Sequence, residues 1–395
     1  MTTHDSAAAL ISAVHELVNA DLAPIADAID RDGIYPRDFL HRLGALGGFA
    51  STLGTTAVAT TSPADRTGHG HVDTDPTGGR TPPSGLATQI SVMRAVAQVC
   101  GSTAFLVWCQ TACVGYLQKS PNAVVRKQFL NALARGNTLA GTGMSNAVKH
   151  LAGIEAIRLK AQRDGDNYRV SGSLPWVSNI DESHLAVVAA QTDDGYIMFV
   201  TPCNAPGVSL HSCPEFSALE GTQTLNIRLN DVLITPEQVV AHPDQFDAYI
   251  RRIKPAFVLA QIGMGLGIID ASLQTIRQSN AVNPDVNAFL DDQHDDLVAE
   301  LAKVETGVAH LAADADAGTA NMLDILRLRL STSELTLRAA NSAVLHAGAR
   351  GYLMRHPAQR RLREAVFVAI VTPALKHLRK EIHALEQAKK KEYAA

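Results

Sequence analysis

Residues 165–179, GDNYRVSGSLPWVSN, join a Gly-Asp turn to an alternating run that is typical of a β-strand. Near the end of this run, Trp176 lies two residues before Ser178. Because side chains alternate across a strand, the spacing predicts that the indole and the hydroxyl face the same side. Such a pair suits a planar ligand with a polar edge, although a core tryptophan beside an ordinary strand serine gives the same pattern.

Short alternating runs separated by Gly, Pro and Asp-Gly turns continue on the C-terminal side of this segment. They include HLAVVAAQTDDGYIMFVTP, GVSLHSC and TLNIRLNDVLI. The pattern predicts a compact central domain of antiparallel β-strands over residues 137–243.

Apolar residues recur with helical periodicity on both sides of the central domain. Residues 1–136 are expected to form an N-terminal α-helical domain that begins with two helices. Residues 244–395 contain four long helical patterns, which predict a C-terminal four-helix bundle. A stretch at about 51–84 is rich in Thr, Pro, Gly and Asp and is expected to be a flexible insert. The fold class is therefore α+β.

Composition argues against several classes of function. The net charge is −4 and charged residues make up 19%, so nothing indicates nucleic-acid binding. We find neither an uninterrupted apolar run of about 18 residues nor a signal peptide, and we expect a cytoplasmic protein that has no membrane partner. Five cysteines form no Cys-x-x-Cys pair, and His69 and His71 lie in the polar insert, so no metal site is expected.

Three segments, in this order and spacing, resemble the acyl-CoA dehydrogenase superfamily. GDNYRVSGSLPWVSN is similar to its turn, strand and Asn-Gly-x-Lys-x-Trp-Ile-Thr-Asn pattern. FVTPCNAPGVSL, followed by TLNIRLNDVLITPEQVV, resembles its F-x-V, T-P-G-x and F-x-D-V-x-V-P run. GARGYLMRHPAQRRLREA resembles G-x-G-Y-x-x-x-x-P-x-x-R-x-x-R-D-A. The resemblance covers nearly the whole chain outside the insert and implies an FAD cofactor, a small-molecule substrate and a homotetramer or homodimer.

The resemblance also implies that the flavin lies between the β domain and the bundle. Trp176 occupies the position of the tryptophan that packs beside the isoalloxazine, and Ser178 that of the threonine that contacts flavin N5. LAGTGMSNAVKHLAG occupies the place of the Thr-Glu-Pro-x-Ala-Gly-Ser-Asp loop, which makes Ser145 and Asn146 candidate flavin contacts. The Glu-Pro and Gly-Ser-Asp elements of that loop are absent here.

The segments that hold the adenine half of FAD in this family are altered. Gly348 and Gly351 keep part of the glycine-rich motif, but Leu345 replaces its glutamine. Arg277 lies near the position of the family's phosphate-binding arginine, although the Phe-Gly that accompanies it is missing. FAD is expected, with FMN or a reduced flavin supplied by a partner reductase as the alternatives.

The catalytic carboxylate of the family is missing. Thr372, followed by Pro373, occupies the position of the glutamate that removes the substrate α-proton, and a threonine cannot act as a base near neutral pH. The other position used for this glutamate lies in YIRRIKPAFVLAQ, which contains no acid. His377 and Glu381 are expected one and two turns further along the helix of Thr372, and the catalytic residue is left unknown.

Three functions remain open. The first is a flavin-dependent oxidoreductase that acts on an acyl-thioester-like substrate with a non-standard or absent base. The second is a two-component monooxygenase that uses reduced flavin and O2 and needs no α-proton base. The third is a flavin-binding protein without catalysis.

Overall fold

The computed structural model describes residues 3–53 and 85–394, in which a helical N-terminal part is followed by a β-sheet and a helical C-terminal part. Most of the expected insert, residues 54–84, lies outside the described residues. The first predicted helix bends through a π turn and a 3-10 turn around Pro24, and the second is as expected. The N-terminal helices are α1 Thr3–Leu17, α2 Ala26–Arg31, α3 Arg37–Ala45, α4 Leu86–Ala97, α5 Gly101–Lys119 and α6 Ala123–Ala134.

In the part of the chain that the structure describes, eight strands form one sheet in the order β6-β7-β3-β2-β4-β5-β8, with β1 paired to β4. The sheet is mostly antiparallel, as predicted, but β1 and β2 each pair with β4 in parallel. The strands are β1 Ala140–Thr142, β2 Lys160–Asp164, β3 Asn167–Val177, β4 Leu185–Gln191, β5 Tyr196–Pro202, β6 Val208–Ser212, β7 Leu225–Ile234 and β8 Val239–Ala241.

Strand β4 separates two hydrophobic cores, which explains its continuous apolar sequence. Ala186 and Val188 point into a core inside the β domain, whereas Leu185 and Val187 belong to a larger core shared with the helices. This is the alternation expected of a strand that is covered on both faces. The helices are therefore packed directly against the sheet.

The C-terminal part contains the helices of the predicted bundle. They are α8 Pro243–Ala260, α9 Ile262–Val282, α10 Pro284–Asn287, α11 His294–Ala317, α12 Met322–Ala347, α13 Pro357–Ile370 and α14 Leu375–Ala394. The last helical pattern of the sequence was expected to form one helix, but it forms two, α13 and α14, which are separated by residues 371–374. Pro373 lacks an amide hydrogen and disfavours a helical conformation at Thr372, so the chain leaves the helix here. His377 and Glu381 consequently lie on α14, and the expectation that they share a helix with Thr372 is wrong.

Within the described ranges, two helical stretches are long and apolar enough to cross a bilayer, Ala7–Arg31 and Pro243–Val282. In the second, 89% of the most apolar window is buried inside the protein, as in the core helix of a soluble protein. The first lies near the N terminus, with 22% of its window buried. Length and composition are weak evidence for a membrane span.

All five cysteines are free thiols. Cys100, Cys109, Cys113 and Cys203 are buried, and Cys213 is half-buried. Among the described residues, no group of three or more His, Cys, Asp or Glu side chains is arranged to hold a metal ion.

Candidate functional site

Trp176 has an unusual backbone conformation and a largely exposed indole. Leu174 pairs with Ile227 and Val177 pairs with Leu225, so β3 carries one more residue than β7 between these pairs. This bulge gives Trp176 a φ of +56°, which is strained for a bulky side chain, and leaves 62% of the residue exposed. The alternation that predicted a common side for Trp176 and Ser178 does not apply here, because the bulge interrupts it and β3 ends at Val177.

Phe216 supports one side of the exposed indole. The two rings meet edge to face, with 5.9 Å between centroids and 88° between planes. On α13, Arg363 donates a 3.0 Å hydrogen bond to the carbonyl of Ser217, the residue next to Phe216. Helical spacing places Val366 and Ile370 on the same face of α13 as Arg363, and 45% and 62% of these residues are exposed. Trp176 of the sheet and the α13 face that carries Val366 and Ile370 therefore both adjoin residues 216–217.

Ser178 lies two residues after Trp176, directly after the end of β3. Its hydroxyl is 2.5 Å from the Thr224 hydroxyl, which is 2.8 Å from the Thr222 hydroxyl. Ser178 keeps 8% of its surface exposed. The residue is therefore largely buried, and its hydroxyl is already engaged by Thr224 within the chain.

Asn179 is a positioning residue that the sequence did not single out. It is fully buried with φ +64°, and its side-chain amide donates to the carbonyl of Ala140 at 2.8 Å. Its side-chain oxygen accepts a 2.5 Å hydrogen bond from the Tyr35 hydroxyl. Asn179 thus connects the N-terminal helices, β1 and the segment that carries Trp176. Asn directly after a strand, where it tolerates positive φ, is the available sequence signal.

The segment predicted as a flavin-binding loop forms a helix, α7 Met144–Leu151. The residues of α7, MSNAVKHL, include no glycine or proline, so nothing in them opposes helix formation. Asn146 points inward, where its side chain donates to Glu155 at 2.7 Å and accepts from the amide of Arg158 at 2.9 Å. Its hydrogen bonds fasten α7 to the following loop. Ser145 is exposed, and its hydroxyl lies 2.8 Å from that of Thr372.

Thr372 joins α7 to the centre of the bundle. Its carbonyl accepts a 2.9 Å hydrogen bond from Gln261, at the junction of α8 and α9. Gln261 in turn accepts a 3.2 Å hydrogen bond from Arg329, whose guanidinium also donates to the carbonyl of Val368 at 2.8 Å. Arg329 is fully buried without an acidic partner among the described residues, and burial lowers its pKa to about 10. The network holds the break between α13 and α14 in place.

A cavity of about 280 Å³ lies between α5, α7, α8 and α14. Lys254 and Glu381 form an ion pair at its wall. His377 also lines it, and burial lowers the pKa of this imidazole. Its Nδ1 accepts a 3.4 Å hydrogen bond from the amide of Ala374, which leaves the hydrogen of a neutral ring on Nε2. The other lining residues are mostly apolar: Tyr116, Met144, Val148, Leu151, Ala152, Ile154, Ile250, Ile253, Phe257, Lys380 and Ala384.

The predicted adenine-binding residues lie outside the cavity, on α9 and in the turn that follows α12. Gly348 has φ +62° and open space where a side chain would project. Gly351 is packed, because a Cβ there would lie 2.7 Å from the carbonyl oxygen of Val344. Arg277 is exposed and makes no ion pair with any described acid. Their roles remain predictions.

The exposed side chains around Trp176 fit a planar aromatic group. Trp176 combines backbone strain with an uncovered indole, and such strain is concentrated at ligand sites. Val366 and Ile370 are exposed apolar residues of α13, and Ser178 is a polar residue two positions after Trp176. Asn146 does not fit as a contact in this conformation, because its amide and carbonyl groups are both engaged within the chain.

The chain is similar to acyl-CoA dehydrogenases in sequence and in structure. It is 23% identical to the probable acyl-CoA dehydrogenase YngJ of Bacillus subtilis (strain 168), over 90% of this chain and 91% of that protein. Butyryl-CoA dehydrogenase from Megasphaera elsdenii superposes with a TM-score of 0.82, at 16% identity, over 97% of this chain and 98% of the other. Glutaryl-CoA dehydrogenase from Mycobacterium smegmatis in complex with FADH2 superposes with a TM-score of 0.78, at 16% identity, over 97% of this chain and 94% of the other. No protein-family model matches the sequence.

The order of helices, mostly antiparallel sheet and helical bundle is the acyl-CoA dehydrogenase fold. Similar relatives match this order along nearly the full chain. The chain therefore has this fold and is similar in sequence to acyl-CoA dehydrogenases over about 90% of its length, at 23% identity.

Proposed function

We propose that this protein is a flavin-dependent oxidoreductase that binds FAD beside Trp176. The observation that carries the proposal is the strained, 62% exposed Trp176, which faces solvent although a bulge fixes its backbone and Phe216 packs against its ring. An exposed indole in a strained conformation is costly to maintain unless a ligand covers it. A bound flavin supplies two-electron redox chemistry.

We assign the substrate to the 280 Å³ cavity, which has a size and an apolar lining suited to a short acyl chain. The Lys254–Glu381 ion pair would orient a polar part of the substrate, such as a thioester or the chain that carries it. Met144 lines the cavity, and the adjacent Ser145 contacts Thr372, so the cavity approaches the break between α13 and α14. An acyl thioester is therefore the proposed substrate class.

Thr372 cannot remove a proton from such a substrate. Glu381 is the one carboxylate among the residues that line the cavity, and it is the non-standard base of this proposal. His377 is a weaker candidate because its unprotonated Nδ1 is engaged with the backbone. A two-component monooxygenase, supplied with reduced flavin by a reductase, is the second candidate, favoured by Thr372 and Pro373 in place of the usual glutamate and glycine.

We also propose that the protein self-associates through one apolar patch. Asn287 donates a 3.2 Å hydrogen bond to the carbonyl of His346, which brings the segments around these residues together. Large apolar side chains on both segments are exposed: Val282, Val286, Phe289, Leu345, Tyr352, Leu353 and Met354. A patch of this kind is typical of a homo-oligomer interface.

The proposal is tested by flavin binding to the purified full chain. We expect FAD to bind, and Trp176→Ala to weaken its affinity about tenfold because a stacked aromatic surface is lost. Trp176→Phe should retain most of the affinity. Leu233→Ala removes an exposed apolar side chain elsewhere on the sheet and should have no effect. Failure of FAD and FMN to bind in either redox state would refute the proposal, and unchanged affinity in Trp176→Ala would refute the stacking role.

Two further measurements separate the candidate functions. A dehydrogenase should lose its visible flavin absorption when an acyl-CoA is added without oxygen, and Glu381→Gln should abolish this loss while FAD still binds. A monooxygenase should show no such loss but should consume O2 once its flavin is reduced. A flavoprotein that does neither is the non-catalytic alternative.

A further inference from the structure

Three hydroxyl groups, beginning with that of Ser178, form a hydrogen-bonded series that ends at one buried carbonyl. The Ser178 and Thr224 oxygens are 2.5 Å apart, and the Thr224 and Thr222 oxygens are 2.8 Å apart. The Thr222 hydroxyl donates to the carbonyl of Leu219 at 2.6 Å. We call these four groups the hydroxyl chain.

The carbonyl fixes the direction of every hydrogen bond in the hydroxyl chain. A hydroxyl has one hydrogen, and a carbonyl can only accept. Thr222 uses its hydrogen on Leu219, so it must accept from Thr224. Thr224 then has no hydrogen left for Ser178, and Ser178 must donate to Thr224. The Ser178 oxygen can therefore offer only lone pairs to a ligand.

Buried backbone contacts keep the hydroxyl chain in this order. Thr222 is 1% exposed, so water has little access to its hydroxyl. The amide of Asn179 donates to the carbonyl of Thr222 at 3.0 Å, which ties the turn to the segment after β3. Leu219 and Gln223 flank the turn with φ of +68° and +48°. The direction of the hydrogen bonds in the hydroxyl chain is therefore fixed by groups that do not contact the ligand, and it is fixed before any ligand binds.

We propose that Ser178 accepts a hydrogen bond from the bound flavin and that the site prefers the reduced form. This inference rests on the proposed function. Two-electron reduction of an isoalloxazine converts its N5 from a bare nitrogen, which only accepts, into an N–H, which donates. The lone pairs of Ser178 can accept a hydrogen bond from N5–H of the reduced flavin, whereas they repel the lone pair on N5 of the oxidised flavin.

The preference is measured as the ratio of dissociation constants for oxidised and reduced FAD, under anaerobic conditions, on the full chain. We expect the reduced form to bind at least about tenfold more tightly. By linkage, a tenfold preference raises the midpoint potential of bound flavin by about 30 mV relative to free flavin. The potential provides a readout that requires no substrate.

The matched variants act at Thr222, which does not contact the ligand. Thr222→Val keeps the shape but removes the acceptor, so Thr224 can donate to Ser178 and Ser178 can donate to the flavin. We expect the preference for reduced FAD to fall at least about fivefold, whereas Thr222→Ser should retain it. Ser178→Ala, which leaves the turn intact, should also lose the preference while oxidised FAD still binds.

The outcomes distinguish this inference from the proposed function. Absence of any flavin binding would refute the proposed function itself. Binding with equal affinity for both forms, as expected if Ser178 met the N3–H that both carry, would overturn the inference alone. An unchanged ratio in folded Thr222→Val and Ser178→Ala would overturn it as well.

Discussion

Glu364 is a buried residue of α13 whose carboxyl group contacts the start of α5. Its Oε1 accepts a 3.0 Å hydrogen bond from the amide of Gly101, and Arg360 lies 3.7 Å away. Burial raises its pKa from 4.5 to about 7, against the opposing effect of Arg360. Between these pH values the folded protein holds a proton that the unfolded chain has released. The free energy of unfolding should therefore fall as pH rises from 4.5 to 7 and level off above 7.

Glu364→Gln removes this titration while retaining an oxygen that can accept from Gly101. Each pKa unit corresponds to about 1.4 kcal/mol, so the wild type should lose on the order of 3 kcal/mol relative to the variant between pH 4.5 and 7.5. Urea unfolding at several pH values measures the difference. The exposed Glu182→Gln serves as the control and should follow the wild type. Parallel pH profiles for wild type and Glu364→Gln would contradict the assignment.

At the scale of elements, Asn122 links α6 to the end of the β domain. Its side-chain oxygen accepts from the amide of Val124 at 3.0 Å and so caps the helix. Its amide nitrogen donates to the carbonyls of Pro236 and Val239 at 2.9 and 2.8 Å. One side chain therefore serves both as a helix cap and as a connection between two domains.

Asn122→Ala and Asn122→Asp separate these two roles. Alanine loses the cap and the connection and should lower the free energy of unfolding by about 1–3 kcal/mol. Aspartate keeps the cap but places a second oxygen against two carbonyls, so it should also be destabilising. Denaturant titration of both variants is the measurement, and an Asn122→Asp protein as stable as wild type would show that the connection contributes nothing.

The order of elements was predictable because each depends on local periodicity. The Gly165 turn between β2 and β3, for example, follows from its sequence alone. Helix α7 was missed because the resemblance indicated a loop, whereas the residues present favour a helix. The bulge at Trp176 depends on pairing with β7, which the sequence of β3 does not contain. Lys254 and Glu381 lie 127 positions apart, so only the folded chain shows that they meet.

At the scale of the whole molecule, the apolar patch around Phe289 should govern assembly. Phe289→Lys places a charge at the most exposed of its side chains, and burying that charge in an interface would be costly. We expect the variant to have a lower mass by sedimentation equilibrium than the wild type at the same concentration. Val124→Lys, at an exposed apolar position on α6, is the matched control and should leave the mass unchanged. An equal mass for the Phe289 variant would place the interface elsewhere.

Cys213 is the least buried thiol of the protein and lies three positions before Phe216, the ring that supports Trp176. Burial raises its pKa, so a maleimide should react slowly with it near neutral pH and faster under mildly alkaline conditions. The buried cysteines should be protected as long as the protein stays folded. The natural chain thus offers a single attachment point for a fluorescent dye beside Trp176, and the dye's emission would report ligand binding without any substitution.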